Sequence, residues 1–389
     1  MRAFKLNIHT IICSILAVLM FIRMQPIYLW QYNDTLRPIC TLLILVICLF
    51  NLSHDKWRVP VFLLSLLSYL WASVVVDRSE LITVLNFSAF PFLLLLDRRT
   101  VYKVYKAFRL IFISFLILSI ISFILVSAGF LTEGQSVTSL NSVKAYDYLK
   151  YPFLAVAADG EAIRFSGMFD EPGVIGTFSG MMLVAERMNL QRKGNWILLA
   201  GGFLSLSFYF FVAMAFGLVL FSNRLKHKWL YFIVAAVFFF GTYNNDFFYD
   251  KLWRRFEWNA ETETLVGDNR NGGGLEEFYE TFKSTPFIYT GLGSEVAERY
   301  SEASSLKLIL VKHGLIFVVL NLSAFVLLAL RENKNKLDLF FFLMFFVLTL
   351  YQRPSLYDTS SILLYVMTLY LFAANRLAPK KNGIRIRIK

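Results

Sequence analysis

The chain has 389 residues, of which 57% are hydrophobic and only 17% charged, and its mean hydropathy is +0.57. Soluble globular chains carry about a quarter charged residues, so this composition excludes an ordinary soluble domain. The formal net charge of +12 would suit nucleic acid on a soluble fold. Here, however, most Lys and Arg lie in short links between apolar blocks, so no basic nucleic-acid face is formed.

In chain order the apolar blocks run approximately 6–22, 36–52, 59–76, 81–96, 107–129, 172–190, 195–221, 229–243, 306–330, 337–352 and 360–374. Blocks of about 15–25 residues match helices crossing a hydrocarbon core about 30 Å thick, and they are too continuous for barrel strands. The expected fold is an all-α polytopic membrane protein, a single integral membrane domain over residues 1–389. The first block follows Arg2 and Lys5 like a signal peptide, but Arg23 and Met24 stand where a small-residue cleavage site would be needed. It reads as a membrane anchor. Cys13, Cys40 and Cys48 lie in or beside apolar blocks, without the spacing of a metal site.

Charge then orients the blocks. Arg2/Lys5, Lys56/Arg58, Arg98/Arg99/Lys103/Lys106, Arg187/Arg192/Lys193, Arg224/Lys226/Lys228, Arg331/Lys334/Lys336 and the tail from Lys380 to Lys389 all read as cytoplasmic. The block 195–221 lies between two such clusters, and a single crossing would put one of them outside. Gly201, Gly202, Ser205 and Ser207 allow a bend, so this block is expected to be a broken or re-entrant pair that returns to the same side. The count becomes about 12 transmembrane helices, with both termini in the cytoplasm. The two long polar segments, 130–171 and 244–305, become periplasmic loops, and the second holds twelve acidic residues.

Two segments carry candidate chemistry. The first is Arg164-Phe165-Ser166-Gly167-Met168-Phe169-Asp170-Glu171-Pro172-Gly173. Pro172 suits the first turn of the next helix, where Asp170 and Glu171 can cap free N–H groups. The same residues also support a chemical role, since an arginine near a carboxylate can bind phosphate and deprotonate a hydroxyl. Both readings stand on sequence alone. The second segment opens with Phe248, Leu252 and Phe256 on one helical face, beside Trp253, Arg254 and Arg255, as in a helix lying at the interface. Arg270, a Gly272–Gly274 break, an amphipathic helix from about Leu275 to Phe282, Gly291-Leu292-Gly293-Ser294 and Arg299 follow. Arginines near the lipid surface suit an anionic, lipid-linked substrate.

The histidines, His9, His54, His227 and His313, are scattered, and His313 reads as a packed or hydrogen-bonded residue within an apolar block. No P-loop, dinucleotide fingerprint or metal spacing is present, so no cofactor and no metal is expected.

These segments resemble the O-antigen polymerase and ligase superfamily, most closely the Wzy-type polymerases. Arg164-x-x-Gly167 followed by Glu171-Pro172 is similar to that family's signature in its first large periplasmic loop. Arg270 with Phe282-Lys283-Ser284-Thr285-Pro286-Phe287-Ile288-Tyr289-Thr290-Gly291-Leu292-Gly293 is similar to the second-loop segment, and Leu306 to Ile316 to the helix that follows it. The ligases carry a histidine near the end of the second loop, where this chain has Glu302-Ala303-Ser304-Ser305. That departure favours the polymerase.

The resemblance implies a metal-independent glycosyltransferase of the bacterial inner membrane. It would polymerise undecaprenyl-diphosphate-linked repeat units on the periplasmic face, into O-antigen or a related surface polysaccharide. Its partners would be lipid-linked glycan donor and acceptor, the bilayer and a chain-length regulator, with no nucleic acid. Arg164, Glu171, Arg270 and Asp170 would be catalytic, with Glu171 the first choice of base; Gly167, Pro172, Arg254, Arg255, Gly293 and Arg299 would bind substrate. The competing readings are an O-antigen ligase and a lipid-linked oligosaccharide flippase or transporter.

Overall fold

The computed structural model describes residues 8–53, 55–77, 81–138, 147–158, 165–221, 240–243, 245–246, 249, 253–259, 264–265, 274–300, 305–333, 335–354, 356 and 359–374. Most of these are helical. Among the described residues, three helices are long and apolar enough to cross a membrane: Lys56–Val76, Arg98–Ser127 and Leu306–Glu332, of 21, 30 and 27 residues. Shorter apolar helices of 10–17 residues accompany them. The lengths of the three long helices suit a bilayer.

The contacts group into two compact units, one of residues 1–112 with 272–389 and one of 113–271. In the first unit, α1 (Ile8–Arg23), α2 (Asn33–Leu49), α3 (Val59–Leu70), α4 (Leu81–Leu95) and the start of α5 (Arg98–Ser127) precede the second unit. After it come α9 (Leu275–Phe282), α10 (Phe287–Thr290), α11 (Ser294–Glu298), α12 (Leu306–Glu332), α13 (Lys336–Gln352) and α14 (Thr359–Ala374). α3 packs along α12 and against α4, and α4 also packs on α2. At the α3–α12 contact the Tyr69 ring stacks on Phe90 (5.0 Å between centroids) and meets Phe317 edge-on (5.6 Å). α14 is apolar all round, and residues 359–372 are buried on every face, as expected of a central helix.

One end of this bundle is tied by charge. Arg58 donates to the Leu96 carbonyl (2.7 Å) and to Glu332 (2.8 Å), while Arg98 also pairs with Glu332. Arg58 and Glu332 are 2% and 5% exposed. Both arginines lie over the Tyr370 ring, at 5.9 and 5.4 Å. Asp97 starts α5, accepting from the backbone N–H of Arg99 (2.7 Å) and Thr100 (2.9 Å). Burial raises its carboxyl pKa, but the hydrogen bonds from Thr100 and Arg99 outweigh burial and leave it below the usual carboxylate range.

The second unit centres on α6 (Pro172–Ala185), whose residues from Ile175 to Ala185 are all buried. It is flanked by α7 (Asn195–Leu204) and α8 (Phe208–Phe221). The block 195–221 is thus two helices, interrupted at Ser205–Ser207 with Leu206 at φ 48°. The interruption lies against α6 near its start, because a side chain at Gly176 would collide with Ser207. Gly202 meets the Phe210 ring just as tightly, which folds α7 back on α8 at the turn.

The chain is not all-α. β1 (Gln135–Val137), β2 (Tyr148–Tyr151) and β3 (Leu154–Ala157) form an antiparallel sheet in that order, with Tyr148 opposite Ala157 and Tyr151 opposite Leu154. β4 (Trp258–Asn259) pairs with β5 (Thr264–Leu265). The run Leu154-Ala155-Val156-Ala157 is too short to stand out among membrane-length blocks, and only its pairing with β2 makes it a strand. The sequence blocks also include 229–239, and the interfacial face includes Phe248 and Leu252; these lie outside the described residues. Of that segment, Trp253–Phe256 is a 3-10 turn.

Candidate functional site

The first return to an apolar helix, the stretch that leads into α6, belongs to the second unit. The β2–β3 turn, Pro152 and Phe153, is held on α5 by two hydroxyls one turn apart. Ser119 Oγ donates to the Phe153 carbonyl (2.6 Å) and Ser122 Oγ to the Pro152 carbonyl. Residues 165–170 then run beside β3: Ala155 N donates to the Gly167 carbonyl (2.6 Å), and Ser166 Oγ donates to the Ala155 carbonyl. The Tyr148 hydroxyl donates to the Asp170 carbonyl (2.6 Å). Gly167 sits at φ 58°, packed against Ile175 and Ser119. The sheet therefore fixes the backbone that delivers Asp170 and Glu171 to α6.

Glu171 is the N-cap residue of α6 in extended conformation (φ −138°, ψ 135°), with Pro172 in the first turn. Its side chain makes no capping hydrogen bond. The capping role that sequence allowed for Glu171 is therefore not realised, while Pro172 suits the first helical position, where its missing N–H has no intrahelical partner to lose. Both Asp170 and Glu171 are partly exposed. Arg164 lies outside the described residues, as does Arg270.

The second return belongs to the first unit. α9 buries Leu275 and Phe282 against Val311 of α12, with Phe278, Tyr279 and Leu292 packed around them. Lys307 pairs with Glu276 (2.6 Å) and lies over the Tyr279 ring at 5.3 Å. A hydrogen bond from Lys283 holds the exposed Glu280 carboxyl below the usual carboxylate range. Beyond α10, residues 291–293 lie along α12: Leu292 N donates to Val311 O (2.8 Å) and Gly293 N to Lys312 O (3.0 Å).

This approach needs two glycines. Gly291 (φ 82°) comes so close that a Cβ would sit 2.6 Å from Lys312 O and 2.7 Å from Gly314 N. Gly314, at φ 76° and ψ 172°, interrupts α12, and a Cβ there would strike the backbone of Tyr289 and Thr290. Positive φ suits glycine, and close approach suits only glycine. Carbonyls near the interruption thus find partners in the loop, which lets an apolar helix tolerate a break.

Gly293 begins α11, and the backbone N–H of Ser294 donates to Asp77 Oδ1 (2.6 Å). Asp77 follows a π-helical turn, Trp71–Val76, at the end of α3. Its other oxygen is 3.9 Å from Nδ1 of His313, beside the interruption in α12. The two side chains are 8% and 0% exposed. Two irregular helix segments thus place a buried carboxylate and imidazole side by side; π turns often mark functional positions.

The structure gathers Gly167, Asp170, Glu171 and Pro172 in one return, and Gly293 and Arg299 at the two ends of α11. Arg299 is exposed, as is Arg254 in its 3-10 turn; the side chain of Arg255 lies outside the described residues. No protein-family profile, curated protein or solved structure matches the chain. Asp77, Tyr148, Ser119 and Ser122 were not singled out by sequence. Asp77 carried one signal, an acidic residue closing an apolar block, and its partners lie too far away in the chain for spacing to show them.

Proposed function

We propose that the chain is a polytopic inner-membrane glycosyltransferase with about twelve crossings, both termini in the cytoplasm and both large loops on the periplasmic face. It lengthens a surface polysaccharide by joining undecaprenyl-diphosphate-linked repeat units, and a chain-length regulator is its expected companion. The observation that carries this reading is the placement of Glu171: a carboxylate held by a sheet-fixed backbone at a helix start, but not engaged in capping that helix.

In the proposed reaction the Glu171 carboxylate takes the proton of the acceptor hydroxyl, and the oxygen forms a bond to the anomeric carbon of the donor. The bond from that carbon to the phosphate oxygen breaks, and the diphosphate departs with the electron pair. Arg164 and Arg270 neutralise the departing charge with forked hydrogen bonds, which needs no metal. Arg254, Arg255 and Arg299 attract the lipid diphosphate, and Asp170 stands second as base. The deciding experiment is deletion followed by gel analysis of the polysaccharide. Loss of the long ladder with retention of single-repeat caps supports the polymerase. Complete loss of caps indicates a ligase, and an unchanged ladder defeats the reading.

His313, a buried imidazole within a membrane-length helix and beside Asp77, favours a second reading, a proton-coupled transporter of lipid-linked oligosaccharide, because ionisable residues inside such helices often mark proton pathways. Accumulation of unextended lipid-linked repeat on the cytoplasmic face of the deletion strain would select it.

A further inference from the structure

The link between α1 and α2 carries two arginines that neither large loop explains. α1 ends with Arg23 in its last turn, where a cation suits the helix dipole. Arg37 lies one turn inside α2, near the end where the dipole gives a cation nothing. On the topology argued from charge this link faces outward, the side that short loops usually keep poor in Lys and Arg. Asp34 is the one acidic residue between them.

The link is also braced. Gln25, at φ 59°, accepts from Trp30 Nε1 at its backbone carbonyl (2.9 Å), and its side-chain amide donates to Asn33 Oδ1 (2.6 Å). Ile27 and Trp30 are buried beneath it, at 2% and 4% exposure. The result is a small groove lined by Arg23, Gln25, Asn33 and Arg37, with Leu29 and Leu36 forming apolar walls. Two guanidinium groups from different helices, with amides beside them and an apolar wall, suit a phosphate attached to a lipid chain.

We infer that this groove is a phosphate-binding subsite for the diphosphate of the acceptor lipid. The inference rests on the polymerase reading, because joining two repeat units brings two lipid diphosphates to one protein. The donor's diphosphate leaves and needs its charge neutralised; the acceptor's stays attached through the reaction and needs only an anchor. The arginines of the two large loops serve the first, and Arg23 with Arg37 the second.

The test uses the full chain in detergent, titrated with undecaprenyl diphosphate and followed by native mass spectrometry. Wild type is expected to take up two lipids and Arg23→Gln/Arg37→Gln one, with affinity for the remaining lipid unchanged. Arg37→Lys, which keeps charge but loses the fork, is expected to bind the second lipid about tenfold more weakly. Equal uptake by wild type and the double variant overturns the inference, as does uptake of fewer than two lipids by wild type. If the double variant is lost from the membrane, Arg37→Lys decides alone, and wild-type affinity in it overturns the inference. An unchanged ladder in the deletion strain defeats the polymerase reading without affecting the uptake difference, so the two failures are distinguishable.

Discussion

The two returns to apolar helix are held in different ways. In the first, side chains do most of the holding: Tyr148, Ser119, Ser122 and Ser166 each donate to a backbone carbonyl, beside one backbone bond from Ala155 to Gly167, and Pro172 opens the helix. In the second, backbone lies on backbone, and the specificity resides in Gly291 and Gly314, which leave room for it. A return held by several side-chain bonds loses one increment per substitution. A return held by backbone contact tolerates no side chain at the crossing point.

That contrast can be broken at its chemical end first. Glu171→Gln is expected to lower polymer formation by about 10²–10⁴-fold, the usual worth of a general base. Any stability loss should be smaller than the ~1 kcal/mol of a lost cap, because the carboxylate does not cap α6. A stability loss equal to that of a missing cap would contradict the geometry. Next in size, Gly314→Val meets both a positive φ and a backbone collision, and should destabilise the first unit by at least ~3 kcal/mol. Thermal unfolding in detergent and the yield of monodisperse protein would register it; normal yield would refute the close approach. Tyr148→Phe removes one buried bond and should cost about 1 kcal/mol, while displacing Asp170 and lowering activity. Equal stability and activity would show that the sheet does not position the return. A comparable ~1 kcal/mol is expected for Asp97→Ala, which removes the α5 cap.

The smallest effect is a pH dependence. Asp97 has a depressed folded-state pKa, so its contribution is present above its unfolded pKa of about 4 and fades as pH falls through the lower folded value. Unfolding midpoints between about pH 5 and pH 3 should fall more steeply in wild type than in Asp97→Asn.

Much of the helical framework was legible. The apolar block 6–22 becomes a helix at Ile8–Arg23, the amphipathic stretch is a helix at Leu275–Phe282, and 195–221 is interrupted at the serines that made a bend plausible. Hydropathy and charge report such features because each is local. The β2–β3 pairing was not legible, since four apolar residues carry no period long enough to distinguish a strand from a loop. Nor was the meeting of Asp77 with Ser294 and His313. That meeting depends on a π turn in one helix and an interruption in another, and neither leaves a compositional mark. At the first return, sequence located Glu171 but left capping open as its role; only the backbone conformation and hydrogen bonds closed that option for this residue.

The ion triad of Arg58, Glu332 and Arg98 has a consequence for how the protein is made. Arg58 and Glu332 are separated by 274 residues. At a synthesis rate of about 5–20 residues per second, Arg58 emerges roughly 15–55 s before its carboxylate exists. Until then the early helices hold a cation without its final partner. Losing one member of a buried pair costs about 3–5 kcal/mol, so the N-terminal bundle stays provisional until α12 arrives. Nascent chains cut short before Glu332 should therefore be recognised as incomplete and degraded, making the last third of translation the quality checkpoint for the first.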